Sequence, residues 1–208
     1  MRHILPVPSR LLLVRHGQIR ANIDSVWHGS TDAELTERGH EEARLVATHI
    51  ARVRPDVAAV YTSHLQRARD TAERIANALG VAVVVREGLA EYGIGELEGE
   101  TFADLASRHR FFEQSVGDVE WAPPGGESLG AVGRRVVGAW RDIAARHPSD
   151  EVVVVSHGAA IGVGLSVLLK DDPRGWSDYR LRNTSITEIV VAPKPEILAF
   201  DLVDHLPG

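Results

Sequence analysis

Four short stretches of the chain carry residue types suited to handling an anion. Arg15-His16-Gly17 closes one apolar run, and Ser63-His64 with Arg67 follows a second. Glu91 comes shortly after a third, and Ser156-His157-Gly158 closes a fourth. An arginine presents a planar fork that matches phosphate oxygens. Helix N-termini add free N–H groups, and a neutral imidazole can act as a nucleophile. Each residue alone has a plainer use: a histidine at a strand end is commonly just hydrogen-bonded, and an arginine at a helix start is a surface charge that the helix dipole mildly disfavours. Two histidines, two arginines and a carboxylate arriving from four segments describe a site for a phosphoryl group. The 208 residues include no cysteine, so the attacking atom is not a thiolate, and disulfide, CxxC and thiolate-zinc chemistry are excluded.

The elements that must position these residues are legible in the apolar pattern. Arg10 to Arg15 and Glu151 to Val155 are short, nearly continuous apolar runs, as in strands buried on both faces. Val57 to Tyr61, Ala82 to Val85, Ile186 to Val191 and Ile197 to Val203 read as further strands, the last two joined through Pro193 and Pro195. Helical spacing predicts helices from Thr36 to Val53, from Leu65 to Leu79 with Gly80 past its end, from Leu129 to Ile143, and from Ala159 to Leu169. Thr101 and Asp104, spaced like a capping box, open a predicted helix to Phe112. Strands alternating with helices imply an α/β fold with a mainly parallel central sheet covered on both faces. Ligands of such sheets bind beyond the carboxyl ends of the strands, where the four stretches lie.

Length and composition fit one domain over residues 1–208, with a loop-rich, glycine-bearing stretch from about 87 to 128 as a lid or insertion over the site. The 23 basic and 29 acidic residues leave a net charge of −6, which disfavours a nucleic-acid partner. Residues 1–9 lack the apolar run of a signal peptide, and the long apolar stretch from Val152 to Leu169 is interrupted by Ser156-His157-Gly158. A soluble, cytoplasmic protein with no membrane partner is expected; pairing of two copies is left open.

Taken in order, the motifs resemble those of the histidine phosphatase superfamily, the phosphoglycerate-mutase-like family. Leu-Leu-Leu-Val-Arg15-His16-Gly17 resembles its Arg-His-Gly signature, with Asn22 at the following asparagine. Gly29, Asp32, Leu35, Thr36 and Gly39 resemble its next stretch, and Ser63-His64-Leu65-Gln66-Arg67-Ala68 with Thr71-Ala72 its second arginine motif. Leu89-Ala90-Glu91 with Gly95, Glu98 and Gly99 resembles its acid loop; Gly126-Glu127-Ser128 and Val155-Ser156-His157-Gly158 complete the set. The resemblance implies a three-layer α/β/α sandwich and hydrolysis of a small phosphorylated substrate without metal or cofactor. It makes His16 the nucleophile that becomes phosphohistidine, Glu91 the general acid and then base, and Arg15, Arg67 and His157 the holders of the phosphoryl group. Asn22, His28, Gly29 and Gly158 are the implied substrate-binding residues. Gln18-Ile19, His64 and Leu97 depart from the family's usual residues without removing a catalytic group, and bear on substrate choice.

The resemblance also frames the alternatives. Cofactor-dependent mutases of the family carry a tyrosine three positions after the acid and an inserted segment with paired arginines. Here Ile94 occupies that position, and Arg108 and Arg110 are separated by His109, so a phosphatase is expected over a mutase or a catalytically silent phospho-ligand binder. Gly126-Glu127-Ser128-Leu129-Gly130 formally fits a serine nucleophile elbow, with Asp178 and His205 as partners. Pro123 and Pro124 stand where such an elbow needs a strand, which favours a helix N-cap at Ser128. His3, His49, His109 and His147 read as surface residues, and none of the ten histidines falls in a tight metal-ligand spacing.

Overall fold

A computed structural model describes residues 9–207; the expectation for His3, and for most of the N-terminal segment, lies outside them. Six strands form one sheet: β1 (Arg10–Arg15), β2 (Ala59–Thr62), β3 (Val83–Val85), β4 (Glu151–Ser156), β5 (Ile186–Val190) and β6 (Glu196–Leu202), in the order β3-β2-β4-β1-β5-β6. The pairs β3·β2, β2·β4 and β4·β1 are parallel, while β5 and β6 add an antiparallel edge. The sheet is thus mainly parallel, as expected. Arg15 aligns with Ser156 at the carboxyl ends of the two central strands, so the two histidine motifs leave the sheet side by side.

The helices are α1 (Arg20–Asp24), α2 (Glu37–Val53), α3 (Gln66–Leu79), α4 (Phe102–Ser107), α5 (Phe111–Gly117), α6 (Leu129–Arg146) and α7 (Gly158–Lys170). Alternation along the central strands splits the core in two. Leu12, Val14, Val153 and Val155 pack with Val46 and Ile50 of α2 and Ala72 and Ile75 of α3. Leu11, Leu13, Val152 and Val154 face the other way, toward Val136 and Trp140 of α6 and Ile161 and Leu165 of α7. These are the two outer layers of the sandwich. The caps follow the sequence: the Thr36 and Ser128 hydroxyls accept from Gly39 N and Ala131 N, and Gly80 closes α3 at φ 72°. The long apolar stretch is β4 followed by α7, and among the described residues no helix is long and apolar enough to cross a membrane.

Three segments differ from expectation. The helix predicted from Thr101 to Phe112 is two, α4 and α5, broken at Arg110, which takes a left-handed φ of 50°. Leu105 and Phe111, both fully buried, would stand about 120° apart on one continuous helix; the break turns both inward. The five-residue α1 is too short to show a period. A 3₁₀ turn at Pro173–Asp178 was also not foreseen, although Asp172-Pro173 is a start signal: the Asp172 carboxylate accepts from Arg174 N.

Candidate active site

The loop after β1 is held by close backbone contacts that only glycine permits. A Cβ on Gly17 would sit 2.5 Å from the Gly39 carbonyl oxygen, and one on Gly39 would sit 2.1 Å from that of Gln18. Gly17 N donates to Thr71 Oγ1 (3.1 Å) and Gln18 N to the buried Glu42 carboxylate (2.9 Å). This clamp fixes His16, which is nearly fully buried. Its Nδ1 lies 2.7 Å from the Gly17 carbonyl oxygen. A carbonyl only accepts, so Nδ1 carries the proton and Nε2 is left with the lone pair. Burial, then the charges of Arg67 and Arg15, hold the imidazole well below its ordinary pKa and keep it neutral.

His157 lies beside it, with ring centroids 5.1 Å apart. It stands at the N-cap of α7, fully buried, and burial followed by Arg67 and His16 also hold it well below its ordinary pKa. Its Nε2 is 2.7 Å from Ser63 Oγ, and its buried Nδ1 has no protein partner. If the serine donates to Nε2, Nδ1 bears the hydrogen and becomes a donor for a bound oxyanion.

Arg67 is fully buried in the first turn of α3 and donates to three backbone carbonyls: Thr31 (2.8 Å), Gly29 (2.8 Å) and His28 (3.2 Å). Arg15 donates to the Leu181 carbonyl (2.6 Å). In both, Nε is buried without a partner. Buried donors of this kind are nearly always satisfied, so two guanidinium N–H groups and His157 Nδ1 together make this a candidate anion site. Gly158 belongs to it sterically, since a Cβ there would approach Arg15 Nε to 3.3 Å.

Glu91 accepts from Tyr92 N (2.9 Å) and from Ala159 N (3.2 Å) and Ala160 N (2.7 Å) in the first turn of α7, where the dipole favours a carboxylate. Arg15, His16, Asn22, His28, Glu91 and Gly158 all line one cleft of about 750 Å³; Arg67 and His157 are buried behind it. Gly29 reaches the site indirectly, by holding Arg67. Asn22 Oδ1 accepts from Ile19 N and from Asn183 Nδ2, both at 3.1 Å.

Some contributors carried no assigned role in the sequence. Asn183 also donates to the His16 carbonyl (2.9 Å) and lines the cleft, from a loop with no motif. Ser63 lies within the second arginine motif. Arg135 of α6 donates to the carbonyls of Ala90 (2.6 Å) and Glu91 (2.7 Å), and to both oxygens of Glu127 (2.7 Å each). Arg135 therefore ties the acid loop and Glu127 to α6, while Ser128 caps that helix. His205, the imagined partner of Ser128, sits instead beside Thr184 and His49. His49, His109 and His147 are half-buried rather than on the open surface, and His147 Nε2 pairs with the Tyr61 hydroxyl at 3.0 Å.

Comparison with known proteins places the chain in a family. The family model of the histidine phosphatase superfamily (branch 1) matches residues 11–199, and the chain belongs to that family. It is 40% identical over 166 residues to a bifunctional protein of Mycobacterium tuberculosis, covering 78% of this chain but 44% of that one, so the chain spans under half the length of that relative. It is 33% identical to a Yersinia enterocolitica protein named as a probable phosphoglycerate mutase, over 89% of this chain and 86% of the other. The phosphoserine phosphatase of Entamoeba histolytica, solved in complex with 3-phosphoglyceric acid, superposes with a TM-score of 0.85 at 30% identity, covering 96% of this chain and 100% of that one.

Proposed function

We propose that the protein is a phosphatase that hydrolyses a small phosphate monoester through a phosphohistidine on His16. The observation that carries this is a neutral, buried imidazole whose Nδ1 is committed to the Gly17 carbonyl, set among the unpartnered donors Arg15 Nε and Arg67 Nε and the unpartnered His157 Nδ1. In the first step His16 Nε2 attacks phosphorus and the P–O bond to the alcohol breaks. Glu91 delivers a proton to the leaving oxygen. In the second step water attacks phosphorus, Glu91 takes its proton, and the P–N bond breaks to release phosphate and neutral His16. The arginines and His157 balance charge on the phosphoryl oxygens throughout, without a covalent role. Splitting one displacement in two lowers each barrier, and general acid help contributes about 10²–10⁴ in rate.

Hydrolysis is favoured over mutase chemistry because a mutase must hold a second anionic group. Ile94, at the position of the mutases' tyrosine, is fully buried in the core, and Arg134 and Arg135 are engaged by Glu120 and Glu127. The test is to follow phosphate release from a panel of monoesters beside isomerisation of 3-phosphoglycerate, with and without EDTA. Phosphate release that survives EDTA, with no isomer formed, is expected. Isomerisation outrunning release, or activity lost to EDTA and restored by a metal ion, would overturn it.

A further inference from the structure

We propose that the alcohol half of the substrate is an apolar, ring-bearing group, and that the aromatic wall of the cleft is its binding site. This rests on the phosphatase reading and narrows its substrate class. The chain has only eleven aromatic residues, 4 Trp, 3 Tyr and 4 Phe. Five of them, Trp27, Phe102, Phe112, Trp176 and Tyr179, line the cleft that begins at His16.

They come from separate segments: Trp27 from the loop after α1, Phe102 and Phe112 from α4 and α5, and Trp176 and Tyr179 from the 3₁₀ turn and its end. Yet four of them, all but Tyr179, form one surface. Trp27 is the buried floor, with ring centroids 5.4 Å from Phe102, 6.3 Å from Phe112 and 6.1 Å from Trp176; Phe112 and Trp176 are 6.3 Å apart. The wall is not closed off as a core would be: Phe102 is 45% exposed. Phe112, Trp176 and Tyr179 are half-buried, and rings left partly open along a cleft beside a reactive centre favour a ligand that covers them.

Charge points the same way. Among the lining residues Arg15, His16 and His28 belong to the phosphoryl end, together with the one acidic group, Glu91. The remaining charged residue of the lining is Arg180, which is exposed. An alcohol half bearing a carboxylate would lose water against rings and find one charged partner, that arginine. A flat apolar group would instead stack on the wall while its phosphate reached His16.

Binding and turnover are measured separately. Calorimetry on the wild-type protein compares three phosphonates that cannot be hydrolysed: 3-phenylpropylphosphonate, propylphosphonate and 2-hydroxy-4-phosphonobutanoate. The phenyl compound is expected to bind at least tenfold more tightly than either of the others. Trp176→Ala and Phe102→Ala are each expected to shrink that ratio at least threefold; because Phe102 is nearly half exposed and outside the buried core, its removal tests the wall without opening the core. Equal or tighter binding of the carboxylate compound, especially if lost in Arg180→Ala, would overturn the proposal, as would a ratio that neither aromatic variant changes. In turnover, kcat/KM for 2-phenylethyl phosphate is expected to exceed that for ethyl phosphate and 3-phosphoglycerate at least tenfold, the three being alkyl esters. The phosphonate ratio decides this proposal even if no ester is hydrolysed, an outcome that would count against the phosphatase reading alone.

Discussion

At the scale of single residues, the site depends on which ring nitrogen of each histidine holds a hydrogen. The Gly17 carbonyl settles this for His16, and the Ser63 hydroxyl orients His157 from behind. In the proposed mechanism Ser63 is a positioning residue, acting on phosphate only through His157. Ser63→Ala frees His157 to place its hydrogen on Nε2, turning an acceptor toward the oxyanion. A fall of about tenfold in kcat is expected, the worth of one hydrogen bond, with Ser63→Thr restoring much of it and KM moving less than kcat. Equal kcat in wild type and Ser63→Ala, measured by phosphate release, would deny the role. The principal residues were legible because types and order sufficed: His16, Arg67, Glu91 and His157 each sit in a short motif after a strand. Asn183 was not, since one asparagine in an irregular loop has no period or spacing to betray it.

At the scale of elements, the sheet delivers the histidines and the helices tie down everything else. The mainly parallel character of the sheet was legible because β1 and β4, buried on both faces, read as apolar runs, whereas their pairing with each other was not. The break between α4 and α5 was not, because it answers to where Leu105 and Phe111 must pack rather than to local preference. Nor was the role of Arg135, which looks like any helix-face arginine until the acid loop folds onto it. Arg135 fastens two carbonyls of that loop and the Glu127 carboxylate to α6. Arg135→Ala is expected to lower kcat about tenfold to a hundredfold through misplacement of Glu91. Because Glu127 would then lose its partner, Arg135→Ala with Glu127→Gln should be more stable than Arg135→Ala alone, without regaining the rate. Steady-state kinetics beside denaturant unfolding checks both; a double variant that recovers full kcat would show that the tie itself is dispensable.

At the scale of the whole molecule, a chain of net charge −6 holds a fully buried arginine, Arg67, beside two buried histidines. Neutral burial of His16 and His157 makes stability pH-dependent. Their folded pKa values are depressed, so below the unfolded value of about 6.5 the unfolded chain binds protons that the folded chain refuses. His205, lowered to about 4, adds in the same direction. Stability should therefore hold above pH 6.5 and decline from there toward pH 5, before most carboxylates titrate. Urea midpoints across that window should fall, and less steeply in His16→Ala; a flat profile would contradict neutral burial.

The central claim, covalent catalysis at His16, is tested most directly by rapid quench with a phosphate ester labelled in its phosphoryl group. The expected result is transient label on the protein that is labile in acid, stable in alkali, mapped to His16 and absent from His16→Ala. Label on Ser128, or steady phosphate release with no labelled protein at any quench time, would contradict it.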